Sequence, residues 1–201
     1  MNNITTSASP LSAPLQEELL GIAIAAIRYG LVNQTVMPIN LEGYDSRLLT
    51  PQASFVTLKK QGQLRGCIGN LDARRPLIED VIENAWQAAF KDPRFPAVQS
   101  NELSSLHIGI SVLSPPIKMS VLSEQDLINQ LRPGVDGLII EDPHHRATFL
   151  PSVWQQLPEP DDFIRQLKLK AGLAANEWPS SLAVKRYTSF EFGTMIANTE
   201  A

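Results

Sequence analysis

Apolar residues recur at helical spacing over Leu15, Leu19, Ile22, Ala23, Ala26 and Ile27, behind Pro14 and two acids, Glu17 and Glu18, that suit the positive end of a helix dipole. The spacing predicts a helix over about residues 14–29. The stretch through Asn33, Pro38, Gly43 and Pro51 carries no period and reads as a long surface connection. From Ser54 the pattern changes. Ser54–Lys59 and Gln63–Ile68 are β-prone runs on either side of a polar turn containing Gly62, which predicts a hairpin. A helical period returns after Pro76 through Leu77, Ile78, Val81, Ile82, Ala85, Ala88 and Ala89, and it must end at Asp92-Pro93 because the residue before proline avoids helical angles. Leu106, Ile108, Ile110 and Val112 then alternate with His107, Gly109 and Ser111, predicting a half-buried strand that stops at Pro115-Pro116.

The same order follows a second time. Ser123 with Asp126 resembles a capping box for a short helix to about Leu131. Gly137–Glu141 and Arg146–Leu150 predict a hairpin joined through Asp142-Pro143-His144-His145. Asp161 and Asp162 open a helix bearing Phe163, Ile164, Leu167 and Ala171, with Gly172 as its stop, and a strand over about 183–192 closes the series. Both halves, about 54–113 and 137–192, thus read hairpin, helix, strand, although their residues hardly match. The topology is duplicated and the sequence is not. Helices segregated from largely antiparallel strands make an α+β fold.

Composition narrows the picture. With 201 residues and 43% hydrophobic content the chain can bury a substantial core, and its length suits one domain built from two related halves, about 14–193, between an arm at 1–13 and a tail at 194–201. Seventeen basic against 21 acidic residues leave a net charge of -4, which excludes a bulk polyanion binder. The longest apolar run, Leu19 to Ile27, is broken by Gly21, ended by Arg28 and far short of the roughly 20 residues a membrane span needs. Residues 1–14 match no secretory signal. A single cysteine, Cys67, excludes an internal disulfide and leads to the expectation of a reducing, cytoplasmic setting.

The stretch that invites chemistry is Leu64-Arg65-Gly66-Cys67-Ile68-Gly69-Asn70. Glycine is depleted in strands, so Gly66 and Gly69 beside the lone thiol suggest a close approach to the backbone, either by a substrate or by a neighbouring element at a bulge. Strict alternation would place Arg65 and Cys67 on one face, where a cation favours thiolate over thiol. A buried, inert packing role for Cys67 stands beside that reading. Between Lys59 and Arg75 the local charge is +4, from Lys59, Lys60, Arg65, Arg74 and Arg75 against Asp72, a patch that suits an anion or equally a solvated strand edge. Asp92-Pro93-Arg94-Phe95 sets a carboxylate and a guanidinium at a helix exit, as substrate contacts or as a structural stop. His107, His144 and His145 lack metal-ligand spacing, and Gly66-Cys67-Ile68-Gly69 is neither a phosphate loop nor a dinucleotide fingerprint, so no metal or cofactor is expected.

Taken with Phe55-Val56-Thr57-Leu58, Pro76-Leu77, Asp92-Pro93-Arg94-Phe95, Ser111-Val112-Leu113, Gly134-Val135-Asp136-Gly137-Leu138, Leu150-Pro151 and Lys170-Ala171-Gly172, the hexapeptide Leu64–Gly69 resembles the signature of the AMMECR domain family, called AmmeMemoRadiSam system protein A in prokaryotes. The resemblance covers about residues 15–193, and Ser152 departs from it where many members carry glutamine. It implies two related halves contributing to one curved, barrel-like, mainly antiparallel sheet, and partners of the Memo and radical S-adenosylmethionine types. The family has no settled activity. Two functional readings follow. In the first, an enzyme or substrate-handling subunit uses Cys67 and Arg65 on a small anionic substrate, with Gly66, Gly69, Arg74, Arg75, Asp92 and Arg94 around it. In the second, a non-catalytic module presents the basic patch to a protein or an RNA.

Overall fold

The computed structural model describes residues 11–197; residues 1–10 of the expected arm and 198–201 of the expected tail lie outside them. Leu11 is already buried, and the first helix starts at Ala13. Helices and antiparallel strands are segregated, giving the α+β class that the hydrophobic periods predict. The chain divides into two compact units: one takes the residues through Leu113 and from Phe190 onward, the other Ser114–Ser189.

In the first unit, α1 (Ala13–Asn33) and α3 (Leu77–Phe90) pack on one face of the sheet formed by β1 (Ser54–Lys60), β2 (Gln63–Gly69), β3 (Leu106–Leu113) and β8 (Ser189–Met195). A single turn, α2 (Ser46–Leu49), capped by Asp45, breaks the connection expected to be irregular. The strand order is β2-β1-β3-β8. Alternation decides the faces: Val56, Leu58, Leu106, Ile108, Ile110 and Val112 join Leu19, Ala23, Ile27, Ile78, Val81 and Ala85 in one core, while Phe55, Thr57, Lys59, His107, Gly109 and Ser111 take the opposite face. Each fully buried Leu or Ile there stabilises the unit by about 1.5–3 kcal/mol. Helix α1 runs a turn past the predicted end at residue 29, because Gly30 is not a stop. Its missing side chain lets the rings of Trp86 and Phe90 on α3 press against the α1 backbone, and the helix ends at Gln34 in the left-handed conformation (φ 56°).

The second unit repeats the plan. The hairpin of β5 (Gly137–Glu141) and β6 (Arg146–Phe149), helix α5 (Pro160–Ala171) and strand β7 (Ala183–Tyr187) follow in order. As β3 pairs with β1, so β7 pairs antiparallel with β5, with Ile139 opposite Lys185. Strand β4 (Ile117–Lys118) completes the order β4-β7-β5-β6. Helix α4 (Glu124–Gln130) is capped by Ser123, which accepts the Asp126 N–H. Its core joins Leu138, Ile140 and Leu167 to Phe163, whose ring stacks on Trp154 at 3.9 Å. The strand pairing resolves the expected antiparallel sheet into two four-stranded ladders, and each ladder takes its fourth strand from the chain that follows the other half. The strand predicted over 183–192 is therefore two strands. Thr188 interrupts it by donating its N–H to Ser114 Oγ (2.9 Å) and accepting the Ser114 N–H (2.9 Å). Among the described residues, no helix is long and apolar enough to cross a membrane.

Candidate functional site

Strand β2 forms an edge of the first sheet, and its glycines explain how it sits there. A Cβ on Gly66 would collide with the Ala88 carbonyl oxygen of α3, and one on Gly69 with the Phe55 ring and the Ser54 carbonyl. The close approach expected from these glycines is made by the protein itself. Because Gly66 presents its missing side chain to α3, Cys67 projects from the opposite face, away from the hydrophobic core, and is partly exposed.

Cys67 pairs with Thr57 on β1, and its backbone groups point outward rather than into the ladder. Such non-hydrogen-bonded pairs bring side chains close. Thr57 Oγ1 donates to Cys67 Sγ at 3.3 Å. Gly109 stands opposite Thr57 on β3, so Cys67, Thr57 and Gly109 form a row of small side chains across three strands. The outward backbone groups meet the exit of α3. The Cys67 N–H donates to Asp92 Oδ2 (2.8 Å), and the Cys67 carbonyl accepts from Arg94 Nη2 (3.1 Å). Asp92 in turn accepts Arg94 Nε on Oδ1 (2.9 Å) and Arg94 Nη2 on Oδ2 (2.7 Å). Asp92 is buried, and its ion-pair bonds to Arg94 outweigh burial and, with the Cys67 N–H, hold its carboxyl well below the usual carboxylate range. The Arg94 guanidinium is raised first by its hydrogen bonds to Asp92, which outweigh the opposing effect of burial, and less strongly by the Asp92 charge. Sequence order separates Cys67 and Arg94; the fold makes them neighbours.

Arg65 goes elsewhere. Leu58 pairs with Gly66 and Lys59 with Leu64, so Arg65 is the extra residue of a β-bulge, a device that re-aims side chains. Its Nη2 and Nε donate to Glu102 (2.6 and 3.3 Å) and its Nη1 to the Pro96 carbonyl (2.9 Å), using all three nitrogens away from the thiol. The face shared by Arg65 and Cys67 in an unbroken alternation is thus lost to the bulge. Glu102 also binds Lys60 at 3.0 Å. Burial raises the Glu102 carboxyl, but Arg65, the Gln99 N–H and Lys60 together bring it down to about 2.

The basic patch is largely neutralised. Arg74 pairs with Asp72 (2.7 Å), and Arg75 lies 3.6 Å from both Asp80 and Glu83. Asp80 belongs to a buried polar knot at the root of the hairpin: Oδ2 accepts from Ser54 N (2.9 Å), Ser54 Oγ (2.7 Å) and Asn84 Nδ2 (2.9 Å), and Oδ1 from Asn70 Nδ2 (2.7 Å). Of the residues singled out from sequence, the structure brings together Cys67, Asp92 and Arg94, assigns Gly66 and Gly69 to packing, and leaves Arg74 and Arg75 in ion pairs. Sequence reading missed Thr57 and Glu102. Counted from the two-residue turn Gln61-Gly62, Thr57 would face Gly66, and only the bulge moves it to Cys67. Among the described residues no cluster of three or more His, Cys, Asp or Glu side chains has the arrangement of a metal site.

Known proteins share this arrangement of elements. The crystal structure of an uncharacterized protein from Pyrococcus horikoshii superposes with a TM-score of 0.84 at 28% identity, covering 92% of this chain and 94% of that one. A protein of Sulfolobus acidocaldarius is 32% identical over 200 residues, 94% of this chain and 86% of its own length. One from Methanothermobacter thermautotrophicus is 44% identical over 120 residues, 59% of this chain and 62% of that relative. The AMMECR1 family profile matches residues 20–192, which include the glycine-flanked cysteine, its Asp92–Arg94 clamp and both hairpin-helix-strand series, and the chain therefore belongs to the AMMECR1 family.

Proposed function

We propose that this protein is an enzyme, or the substrate-handling subunit of one, that engages a small anionic substrate at Cys67. The observation that carries the reading is the placement of the thiol: outside the core, hydrogen-bonded by Thr57, on a strand whose main chain is gripped by Asp92 and Arg94. Cys67 acts as nucleophile or acceptor. Arg94, half exposed and hydrogen-bonded to the Cys67 carbonyl, attracts the anion, the task first expected of Arg65. Asp92 positions both partners. Gly109 leaves room above the row, since a Cβ there would meet nothing closer than 3.9 Å. Memo-type and radical S-adenosylmethionine proteins are the partners that the AMMECR resemblance implies for such a subunit.

The test compares alkylation of Cys67 by anionic iodoacetate and neutral iodoacetamide in folded and urea-unfolded protein. Folding should raise the iodoacetate-to-iodoacetamide rate ratio by about threefold or more, as expected for one nearby cation in partly solvated surroundings. R94Q should return the ratio to that of the unfolded chain. A folded thiol that alkylates no faster than the unfolded one, with a ratio indifferent to R94Q, overturns the proposal and leaves the protein as a binding module.

A further inference from the structure

Pairing of the basic patch leaves one cation over. Lys60 and Arg65 share Glu102, Arg74 holds Asp72, and Arg75 sits by Asp80 and Glu83, but Lys59 has no ionic partner among the described residues. Lys59 is exposed, and with Gln61, Gly62, Ser105, His107 and Met195 it lines an open cavity of about 600 Å³ within the first unit. No carboxylate is in that lining. The nearby Glu102 carboxylate is committed to Arg65 and Lys60.

Register explains the cavity's construction. Lys59 on β1 is the register partner of His107 on β3, so both side chains leave the sheet on the face opposite the core, and both line the cavity. The imidazole is held in place by an omission on β8: a Cβ at Gly193 would lie 2.6 Å from His107 Cε1, so the ring occupies the room that Gly193 leaves. The rest of the wall is mainly hydrocarbon, contributed by the stems of polar side chains and by Met195, an exposed apolar residue at the end of β8. A polyanion such as phosphate calls for several converging donors or a guanidinium fork, and here one lysine and one imidazole meet an apolar wall.

We infer that this cavity binds a small organic carboxylate, its charged end on Lys59 and His107 and its hydrocarbon or aromatic body against Met195. The site lies on the same sheet face as the Thr57–Gly109 pair, two residues along each strand or roughly 7 Å. It needs no reactivity at Cys67. Binding here is a separate capability of the first sheet, and the two readings stand or fall on different measurements.

The experiment titrates octanoate, octanol and inorganic phosphate into the isotopically labelled full-length protein and follows backbone amide shifts. Octanoate should saturate, with the largest shifts at Gly62, His107 and Met195. K59Q, an exposed substitution without a structural partner to lose, should weaken octanoate about fivefold, the worth of one partly solvated ion pair. M195S should weaken it as well, while C67S should bind as the parent does. Octanol binding as tightly as octanoate, phosphate competing equally with it, or shifts that ignore K59Q would each overturn the inference.

Discussion

The carboxylate of Asp92 accepts the backbone N–H of Cys67 at 2.8 Å, so a side chain, not a strand, closes the outer edge of β2 at this residue. Arg94 completes the closure at the Cys67 carbonyl. Two side chains from a helix exit thus supply the donor and acceptor that a neighbouring strand would have offered. They also deny that position to a foreign strand, the standing hazard of an open edge.

Removing this clamp should be costly. D92A leaves the Cys67 N–H without its acceptor and frees the Arg94 guanidinium, and the loss expected for a buried charge-assisted network is about 2–4 kcal/mol. Urea unfolding monitored by circular dichroism measures it. A change below about 0.5 kcal/mol would mean that water replaces the carboxylate without penalty.

Two glycines in the same sheet should answer to alanine in opposite ways. At Gly66 the added methyl runs into the Ala88 carbonyl of α3, and the helix must lift off the sheet; G66A should lower stability by about 3 kcal/mol or more, or fail to fold. At Gly109 the nearest atoms are 3.9 Å from the added carbon, and G109A should shift stability by less than about 1 kcal/mol. Thermal melts of the pair separate packing from mere glycine content.

Acid should act through Glu102. Its carboxyl titrates at about 2 in the fold against an ordinary 4.5, so the folded state binds the proton less readily than the unfolded chain. The resulting stabilisation is complete above the ordinary value, declines as pH falls below it and is gone once pH passes through the folded value. It amounts to at most about 3 kcal/mol. Stability measured between about pH 6 and pH 2 should fall less steeply in E102Q than in the parent.

The knot around Asp80 should tolerate no change of charge or donor pattern. Its carboxylate receives three hydrogen bonds on one oxygen and one on the other, and one of the donors, the Ser54 hydroxyl, itself accepts from Asn84 Nδ2 (3.1 Å). D80N turns an amide NH₂ toward these donors and should destabilise by about 2–4 kcal/mol, whereas S54A, which removes one hydroxyl donor, should cost about 1 kcal/mol. Double-mutant analysis of D80N with S54A should show coupling, because the residues share one network.

Much of the fold was legible in the order of apolar and polar residues. The periods locate α1, α3 and α5, both hairpins and β3, because burial of one face imposes a local rhythm that needs no knowledge of the partner. The recurrence of hairpin, helix and strand follows from the same rhythm. Thr188 carried no such signal. Its neighbours read as one strand, and only its bonds to Ser114 divide them between two sheets.

The site divides along the same line. The sequence by itself marked Leu64–Asn70 and Asp92–Arg94 as unusual, since lone thiols, strand glycines and a helix-ending proline can be recognised without coordinates. Which charge serves which atom was a tertiary decision. A single extra residue in β2 moves Arg65 to Glu102, sets Thr57 against Cys67, and leaves Arg94 as the cation that holds the Cys67 main-chain carbonyl. Strand alternation is a local rule, and a bulge breaks it for reasons that lie in the packing of distant segments. Sequence specifies which side chains exist and how each element repeats; register and the crossing of elements specify which of them meet.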